Sequence, residues 1–192
     1  MKQCKNTPFA TIKQSTLCKK KNKSLILQKK LIMQTQFTLK TVIGELLVTT
    51  NDETVTGISL NSSDIEVKPC REFEIEVARE IKEFLSGERE SFEFSYEFTG
   101  SAFQVMVWKE LLNIPYGETA TYSEIARRIG KPGASRAVGM ACNRNPLLLV
   151  VPCHRVVSAD GKLTGFVAGF ERKRMLLELE SAASRITRDI CS

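Results

Sequence analysis

The sequence predicts a two-domain α/β chain, a sheet-plus-helix domain followed by a mostly helical one. In the first half, runs rich in β-branched residues are separated by turn formers and followed by one amphipathic helix. From about residue 100 the pattern becomes successive helices, with Ser or Thr at their starts and Gly or Pro at their ends. The net charge reverses at the same place, from −8 over residues 35–100 to +5 over residues 101–192. Hydrophobic residues make up 42% of the chain, which supports a globular core and argues against disorder throughout.

The elements follow in order. "FTLKTVIGELLVTT" (37–50) and "TVTGISL" (54–60), separated by "NDE", read as a hairpin. "FEIEVAREIKEFLSG" places Phe73, Val77, Ile81 and Phe84 or Leu85 on one helical face, and Gly87 is a suitable C-terminal stop. "SFEFSYEF" alternates Phe92, Phe94, Tyr96 and Phe98 with polar residues, the period of a strand with one buried face. Thr99-Gly100 marks the domain boundary. "SAFQVMVWKELLNI" opens on Ser101 as N-cap and closes before Pro115. "TATYSEIARRIGKPGASRAVGMACNRN" reads as helix, turn, helix. Thr121 or Ser123 caps the first, with Ile125, Ala126 and Ile129 inward. Gly130-Lys131-Pro132-Gly133 turns, and the second helix ends near Cys142-Asn143, where Asn suits a left-handed cap. "LLLVV" (147–151) is a fully buried run of strand character that Pro152 interrupts.

Charge and cysteine usage narrow the function classes. Residues 1–34 carry nine lysines and no acid, so the formal total of +6 hides an acidic middle and an arginine-rich end that could seek polyanions. The basic segment is read as a disordered arm, a targeting segment or sequence upstream of a true start at Met33. Its apolar clusters are too short for a secretory signal, and no apolar run in the chain reaches the ~20 residues of a transmembrane helix. Six cysteines without a C-x-x-C pair argue against a disulfide framework, and one histidine argues against a metal site.

That histidine sits in "NRNPLLLVVPCHRVV" (143–157), directly after Cys153. A cysteine of ordinary pKa is only about 3% thiolate at pH 7, so a working nucleophile needs help. In a regular strand Cys153 and His154 would face opposite ways, and contact requires an irregular backbone or a bridging water, for which Pro152 provides an opening. Glu178 or Glu180 could orient the imidazole. On the residues alone, a nucleophile with its base and a buried structural thiol beside a satisfied histidine both stay open.

"FQVMVWKELLNIPYGETATYSEIA" (103–126), "SRAVG" (135–139), Asn145-Pro146 and "PCHRV" (152–156) stand in an order and spacing that closely resemble the O6-alkylguanine-DNA alkyltransferases, also called methylated-DNA–protein-cysteine methyltransferases. The resemblance spans about residues 99–181, and residues 35–98 look like the family's more variable N-terminal domain. It implies an RNase H-like domain over 35–98 and a winged helix-turn-helix-like catalytic and DNA-binding domain over 99–185, flanked by the extension 1–34 and a tail, 186–192. Cys153 matches the cysteine that takes the alkyl group from guanine O6 or thymine O4. His154 matches the residue that deprotonates it through a water, Glu180 the carboxylate that orients the histidine, and Asn145 the residue that supports the turn. Tyr122 matches the tyrosine that assists departure of guanine, and Arg136 the finger that fills the stack. Ala134, Ser135, Ala137 and Gly139 would lie along the DNA, and Val156, Phe166, Val167 and Ala168 would line the pocket. No cofactor and no metal is implied, because alkyl transfer to sulfur leaves a thioether with no carbonyl for water to attack, so the protein is consumed once per lesion. The implied partner is double-stranded DNA carrying alkylated bases, met through the minor groove by a cytoplasmic monomer, nucleoid-associated if bacterial, with no membrane contact.

The chain departs from the family's usual pattern after the cysteine. Thr164-Gly165-Phe166-Val167-Ala168-Gly169 puts Val167 and Ala168 where small residues and Gly-Gly are usual, which implies that methyl passes while large alkyl groups are slowed. "ACNRNP" replaces the commoner "ANGRNP", leaving Cys142 as a structural thiol. Three rivals remain. A sensor that flips alkylguanine without repairing it would carry tryptophan in place of Cys153, a transcriptional regulator would need a further domain, and a cysteine hydrolase would turn over.

Overall fold

The computed structural model describes residues 33–62, 66–159 and 166–190, of which 182–190 through their backbone only. The basic segment 1–34 lies outside the described residues except for its last two, and Gln34 already opens the first strand.

The first sheet is a three-stranded antiparallel meander, β1 (Gln34–Thr41), β2 (Gly44–Asn51) and β3 (Thr54–Leu60). The expected single strand over 37–50 is therefore two. The chain reverses at Val42-Ile43, with Thr41 paired to Gly44 and Gly44 at a φ of 115° that a side chain would resist. At the other end Asn51 pairs with Thr54, and Asp52 takes a φ of 50°, tolerable for Asp. Phe37, Leu39, Leu46, Val48, Val55 and Ile58 are buried, and α1 (Glu72–Ser86) contributes Val77, Ile81, Phe84 and Leu85 to the same core before Gly87 ends it in the left-handed conformation. Glu74 fastens the start of α1 to the sheet. Its buried carboxylate accepts from Thr35 Oγ1 (2.7 Å), the Cys70 and Arg71 amides and Arg71 Nε (2.8 Å), while Arg71 Nη2 also donates to Thr35 and Thr50.

Residues 91–98 keep the expected alternation of burial but do not form a strand. A single parallel bridge joins Tyr96 to Val55, so the aromatic side chains are inserted by packing rather than by a ladder. Helix α2 (Ala102–Leu111) begins at Ser101, whose hydroxyl accepts from the Gln104 amide in a capping box. Its buried Trp108 donates from Nε1 to the Ala141 carbonyl (2.9 Å) and lies against Gly100, where an added Cβ would fall 2.6 Å from two ring carbons.

A short strand β4 (Ala120–Thr121) leads into α3 (Tyr122–Arg128), capped by Thr121 rather than Ser123. Helix α4 (Ser135–Asn143) follows after the Gly130–Gly133 turn and buries Val138, Ala141 and Cys142. Asn143 stays helical and Arg144 is the cap at φ −102°, so the expected left-handed cap is absent. "LLLVV" is buried as expected, yet it is a turn and not a strand. Leu149 has φ 73°, the Val151 amide returns to the Leu147 carbonyl (2.9 Å), and Ile58 of β3 pairs with Leu147. A 3-10 turn, Cys153–Arg155, then passes into β5 (Val156–Val157), which pairs in parallel with β4, and α5 (Phe170–Ile190) closes the described chain.

Replacing Gly100 with Ala forces the added methyl into the Trp108 ring. Overpacking of this kind costs about 1–3 kcal/mol, so urea unfolding should show a lower midpoint at unchanged slope; an unchanged midpoint would refute the close approach.

Candidate active site

Burial brings the chemistry together. Cys153, His154 and Arg155 are all buried in the 3-10 turn, and Glu180 reaches them from α5 with no exposed surface. The turn after Pro152 folds the thiol inward, with Cys153 only 3% exposed. The irregular backbone that Cys–His cooperation requires is this turn, with the Arg155 amide donating to the Pro152 carbonyl (3.0 Å).

Asn145, just after α4, donates from Nδ2 to the Val151 carbonyl (2.9 Å) and to Cys153 Sγ (3.1 Å), and accepts the Leu147 amide at Oδ1 (2.9 Å). One side chain thus closes the Leu147–Val151 turn and touches the sulfur. Burial pushes the Cys153 thiol up to about 11, against the opposing pull of the Asn145 hydrogen bond and the Lys173 charge. The resting group is a thiol.

His154 Nε2 is 2.7 Å from Glu180 Oε1. Burial alone would raise the Glu180 pKa, but hydrogen bonds from His154 and Arg155 outweigh it and hold it at about 2. Glu180 is thus a carboxylate that can only accept, so Nε2 carries the proton and Nδ1 carries the lone pair. Nδ1 is buried and has no hydrogen-bond partner among the described residues. Burial lowers the His154 pKa, opposed by Glu180, so the imidazole is neutral and able to accept a proton.

Two residues of this cluster escaped sequence reasoning. Arg155 forms a bidentate pair with Glu180 (Nε–Oε2 2.8 Å, Nη2–Oε1 3.0 Å), donates from Nη1 to the Ile114 carbonyl (2.8 Å) and lies over the Tyr116 ring. Lys173, buried in the first turns of α5, donates to the Val156 carbonyl (2.6 Å), and burial depresses its pKa. Both counted in the sequence only as basic surface. The one available signal was position, since each lies within a few residues of an apolar, turn-forming stretch. Glu178, the other candidate orienter, is exposed on the outer face of α5.

The remaining site residues are spread over three surfaces. Val156 is buried in β5, Phe166 stands edge-on to His154 (centroids 6.3 Å apart), and Ala168 is buried, but Val167 is 50% exposed. Of the two bulky replacements, only Ala168 enters the interior. Thr164 and Gly165 lie outside the described residues. Tyr122 opens α3, with its ring 3.7 Å from where a Cβ on Gly139 would stand, an ordinary contact distance that brings α3 and α4 side by side without requiring glycine. Ala134, Ser135 and Ala137 are half-buried on α4, and Arg136 projects into solvent from its first turn. Among the described residues there is no group of three or more His, Cys, Asp or Glu that could hold a metal, and no helix is long and apolar enough to cross a membrane.

Residues 102–182 match the sequence model of the family described as 6-O-methylguanine DNA methyltransferase, DNA binding domain. A methylated-DNA–protein-cysteine methyltransferase of Methanosarcina barkeri is 53% identical over 110 residues, covering 57% of this chain and 70% of that one. One of Methanosarcina acetivorans is 44% identical over 146 residues, covering 73% and 94%. Among solved structures, Mycobacterium tuberculosis OGT in complex with DNA superposes with a TM-score of 0.71 at 41% identity, covering 77% of this chain and 93% of that one. The fold described above is thus the α/β arrangement of small antiparallel sheet and helices seen in those proteins.

The folded-state pKa of Glu180, about 2, lies below its ordinary 4.5, so its stabilising contribution is complete above pH 4.5 and drains as pH falls towards 2. Glu180→Gln should flatten that part of the curve of unfolding free energy against pH, leaving the residual slope of Glu74, which titrates in the same window. A wild-type slope in the variant would show that Glu180 is not the held carboxylate.

Proposed function

The chain belongs to the methylated-DNA–protein-cysteine methyltransferase family, and on that premise we propose that Cys153 Sγ receives the alkyl group. The activity is DNA repair by direct reversal, the stoichiometric transfer of an alkyl group from O6 of guanine in DNA to the protein's own cysteine. The carrying observation is the buried turn that holds both a thiol bound by Asn145 and, at the next residue, a neutral imidazole whose Nε2 is fixed by Glu180. We extend the substrate to O4-alkylthymine on the same chemistry.

Sulfur attacks the alkyl carbon in line with the C–O6 bond, the S–C bond forms, and the C–O electron pair returns to the base. The thiol proton passes through a water to His154 Nδ1, giving an imidazolium that Glu180 stabilises across Nε2. Tyr122 supplies a proton to guanine N3 as the base departs. Because Sγ is buried, a base inside the duplex cannot meet it, so the damaged nucleotide must be rotated out, at a cost of a few kcal/mol that Arg136 offsets by entering the stack. The close-packed α3–α4 pair approaches the minor groove over Ala134, Ser135, Ala137 and Gly139. Residues 35–98 form an RNase H-like domain and residues 99–185 a winged helix-turn-helix-like one, and the protein works as a cytoplasmic monomer. A lesion sensor is disfavoured by the presence of Cys153 itself.

Duplex DNA carrying labelled O6-methylguanine should lose one label per protein molecule, recovered on the Cys153 peptide. Cys153→Ala should abolish transfer while leaving DNA binding intact. Label on another residue, or more than one methyl removed per molecule, overturns the assignment. His154→Ala should slow transfer by about 10²–10⁴-fold, and the wild-type rate should fall only below pH 6.5, because the lowered His154 pKa keeps the base neutral above it. A rate independent of His154 would remove it from the proton path. Ala168→Gly should raise the rate with bulky adducts more than with methyl; equal effects would exclude Ala168 from the pocket wall.

A further inference from the structure

Residues 166–169 carry the pocket wall, with Ala168 buried, Phe166 packed against the core and Val167 half exposed. The Gly169 amide donates to the Phe166 carbonyl (2.9 Å), which makes the segment a tight turn with Gly169 at φ 91°. On the side of β3, Val167 and Ala168 border a cavity of about 210 Å³ that they share with Ile58, Ser59, Leu60, Asn145 and Leu148. On that side the wall has fewer packed neighbours to resist displacement.

One side chain adds a polar hold on the same segment. Arg172, in the first turn of α5, donates from Nη1 to the Ala168 carbonyl (2.9 Å) and from Nε to the carbonyl of Ile43, in the turn between β1 and β2. The guanidinium lies against Gly44, where an added Cβ would stand 3.3 Å from Nη2 and 3.5 Å from Nε. Gly44 thus serves the turn twice, by its positive φ and by leaving room for this contact. A planar fork with donors fixed in one plane holds two carbonyls at a set separation, whereas an ammonium on a flexible stem does not fix that separation.

We propose that Arg172 is a positioning residue that fixes the Phe166–Gly169 wall of the alkyl pocket against the β1–β2 turn, so that the N-terminal sheet takes part in setting which alkyl groups the site accepts. The inference rests on the reading of Cys153 as acceptor and of Ala168 as wall. It gives residues 42–44, far in sequence from the thiol, a role in specificity exerted through Arg172 and not by touching substrate.

The test compares wild type, Arg172→Ala and Arg172→Lys as full-length proteins, with single-turnover rates on DNA carrying O6-methylguanine and on O6-benzylguanine. Misplacing a wall near reacting atoms is worth about tenfold to a hundredfold in rate. The expected result is a methyl-transfer rate constant lowered by about tenfold in the Ala variant, with DNA affinity unchanged. The benzyl-to-methyl rate ratio should rise, with the Lys variant in between because its flexible ammonium does not fix the separation of the two carbonyls. Amide hydrogen exchange should accelerate in both 42–44 and 166–169 while α1 keeps its protection. If Arg172→Ala folds with an unchanged rate ratio, or if exchange accelerates in only one of the two segments, Arg172 is no clamp and the proposal falls. The same result follows if the Ala variant does not fold and the Lys variant, folded, shows the wild-type ratio. Failure of the wild type to transfer methyl to Cys153 would instead remove the underlying functional reading.

Discussion

The buried carboxylate of Glu180 is the constraint around which the catalytic half is arranged. An unpaired carboxylate with no exposed surface would cost several kcal/mol or would take up a proton. Here it accepts from His154 Nε2, two nitrogens of Arg155 and the Gly117 amide (3.1 Å). The donors come from two segments and the carboxylate from a third. The 3-10 turn supplies His154 and Arg155, the turn after α2 supplies Gly117, and α5 brings the carboxylate itself. Arg155 extends the set by holding the Ile114 carbonyl. The charge balance therefore fixes three segments at once, and the histidine's proton-accepting nitrogen is determined as a by-product of satisfying the carboxylate.

Legibility in the sequence followed how local each determinant is. The caps at Ser101, Thr121 and Gly87 were readable because a cap is set by residues within one turn of it. The reversal at Val42-Ile43 was not, because two β-branched residues carry a strand signal and the turn is enforced by the pairing of Thr41 with Gly44 and by the fit of Arg172 over Gly44. "LLLVV" shows the same limit. Hydrophobicity reported its burial, but the turn depends on Asn145 closing it from within and on Ile58 pairing with Leu147, contacts invisible to periodicity. Residues 91–98 kept their alternation because packing alone sorts the aromatics, with one bridge where a ladder was expected. In the site, Cys153 and His154 stood out by composition, whereas the choice between Glu178 and Glu180 came from family resemblance. Arg155 and Lys173 were missed because counting charge says nothing about burial.

The first turn of α5 shows how two adjacent basic residues can serve opposite sides of one pocket. Arg172 reaches back to Ala168 and across to Ile43, whereas Lys173 turns inward to the Val156 carbonyl, on the strand that leaves the catalytic turn. Successive residues on a helix point about 100° apart, so neither can replace the other. β5, held from one side by Lys173, is held from the other by β4, whose Thr121 caps the helix carrying Tyr122. The strand that leaves the catalytic turn is thereby paired directly with the strand that leads into α3.

A nucleophile that can act only once has different requirements from one that is regenerated. A cysteine enzyme gains from a lowered thiol pKa, because a standing thiolate speeds every cycle. For a protein consumed by its first alkylation, a standing thiolate would be lost to any soluble electrophile that reached it. Cys153 meets the second requirement, with its thiol buried, protonated and pushed up to about 11. The means of activation are nevertheless in place, in a neutral imidazole already oriented by a carboxylate and in the Asn145 amide and Lys173 charge that favour the anion. On the proposed mechanism, proton removal comes when a base fills the pocket and excludes water, which strengthens each of those interactions. With Cys153 as the proposed acceptor, the same burial that protects the sulfur requires the damaged nucleotide to leave the helix before the chemistry begins.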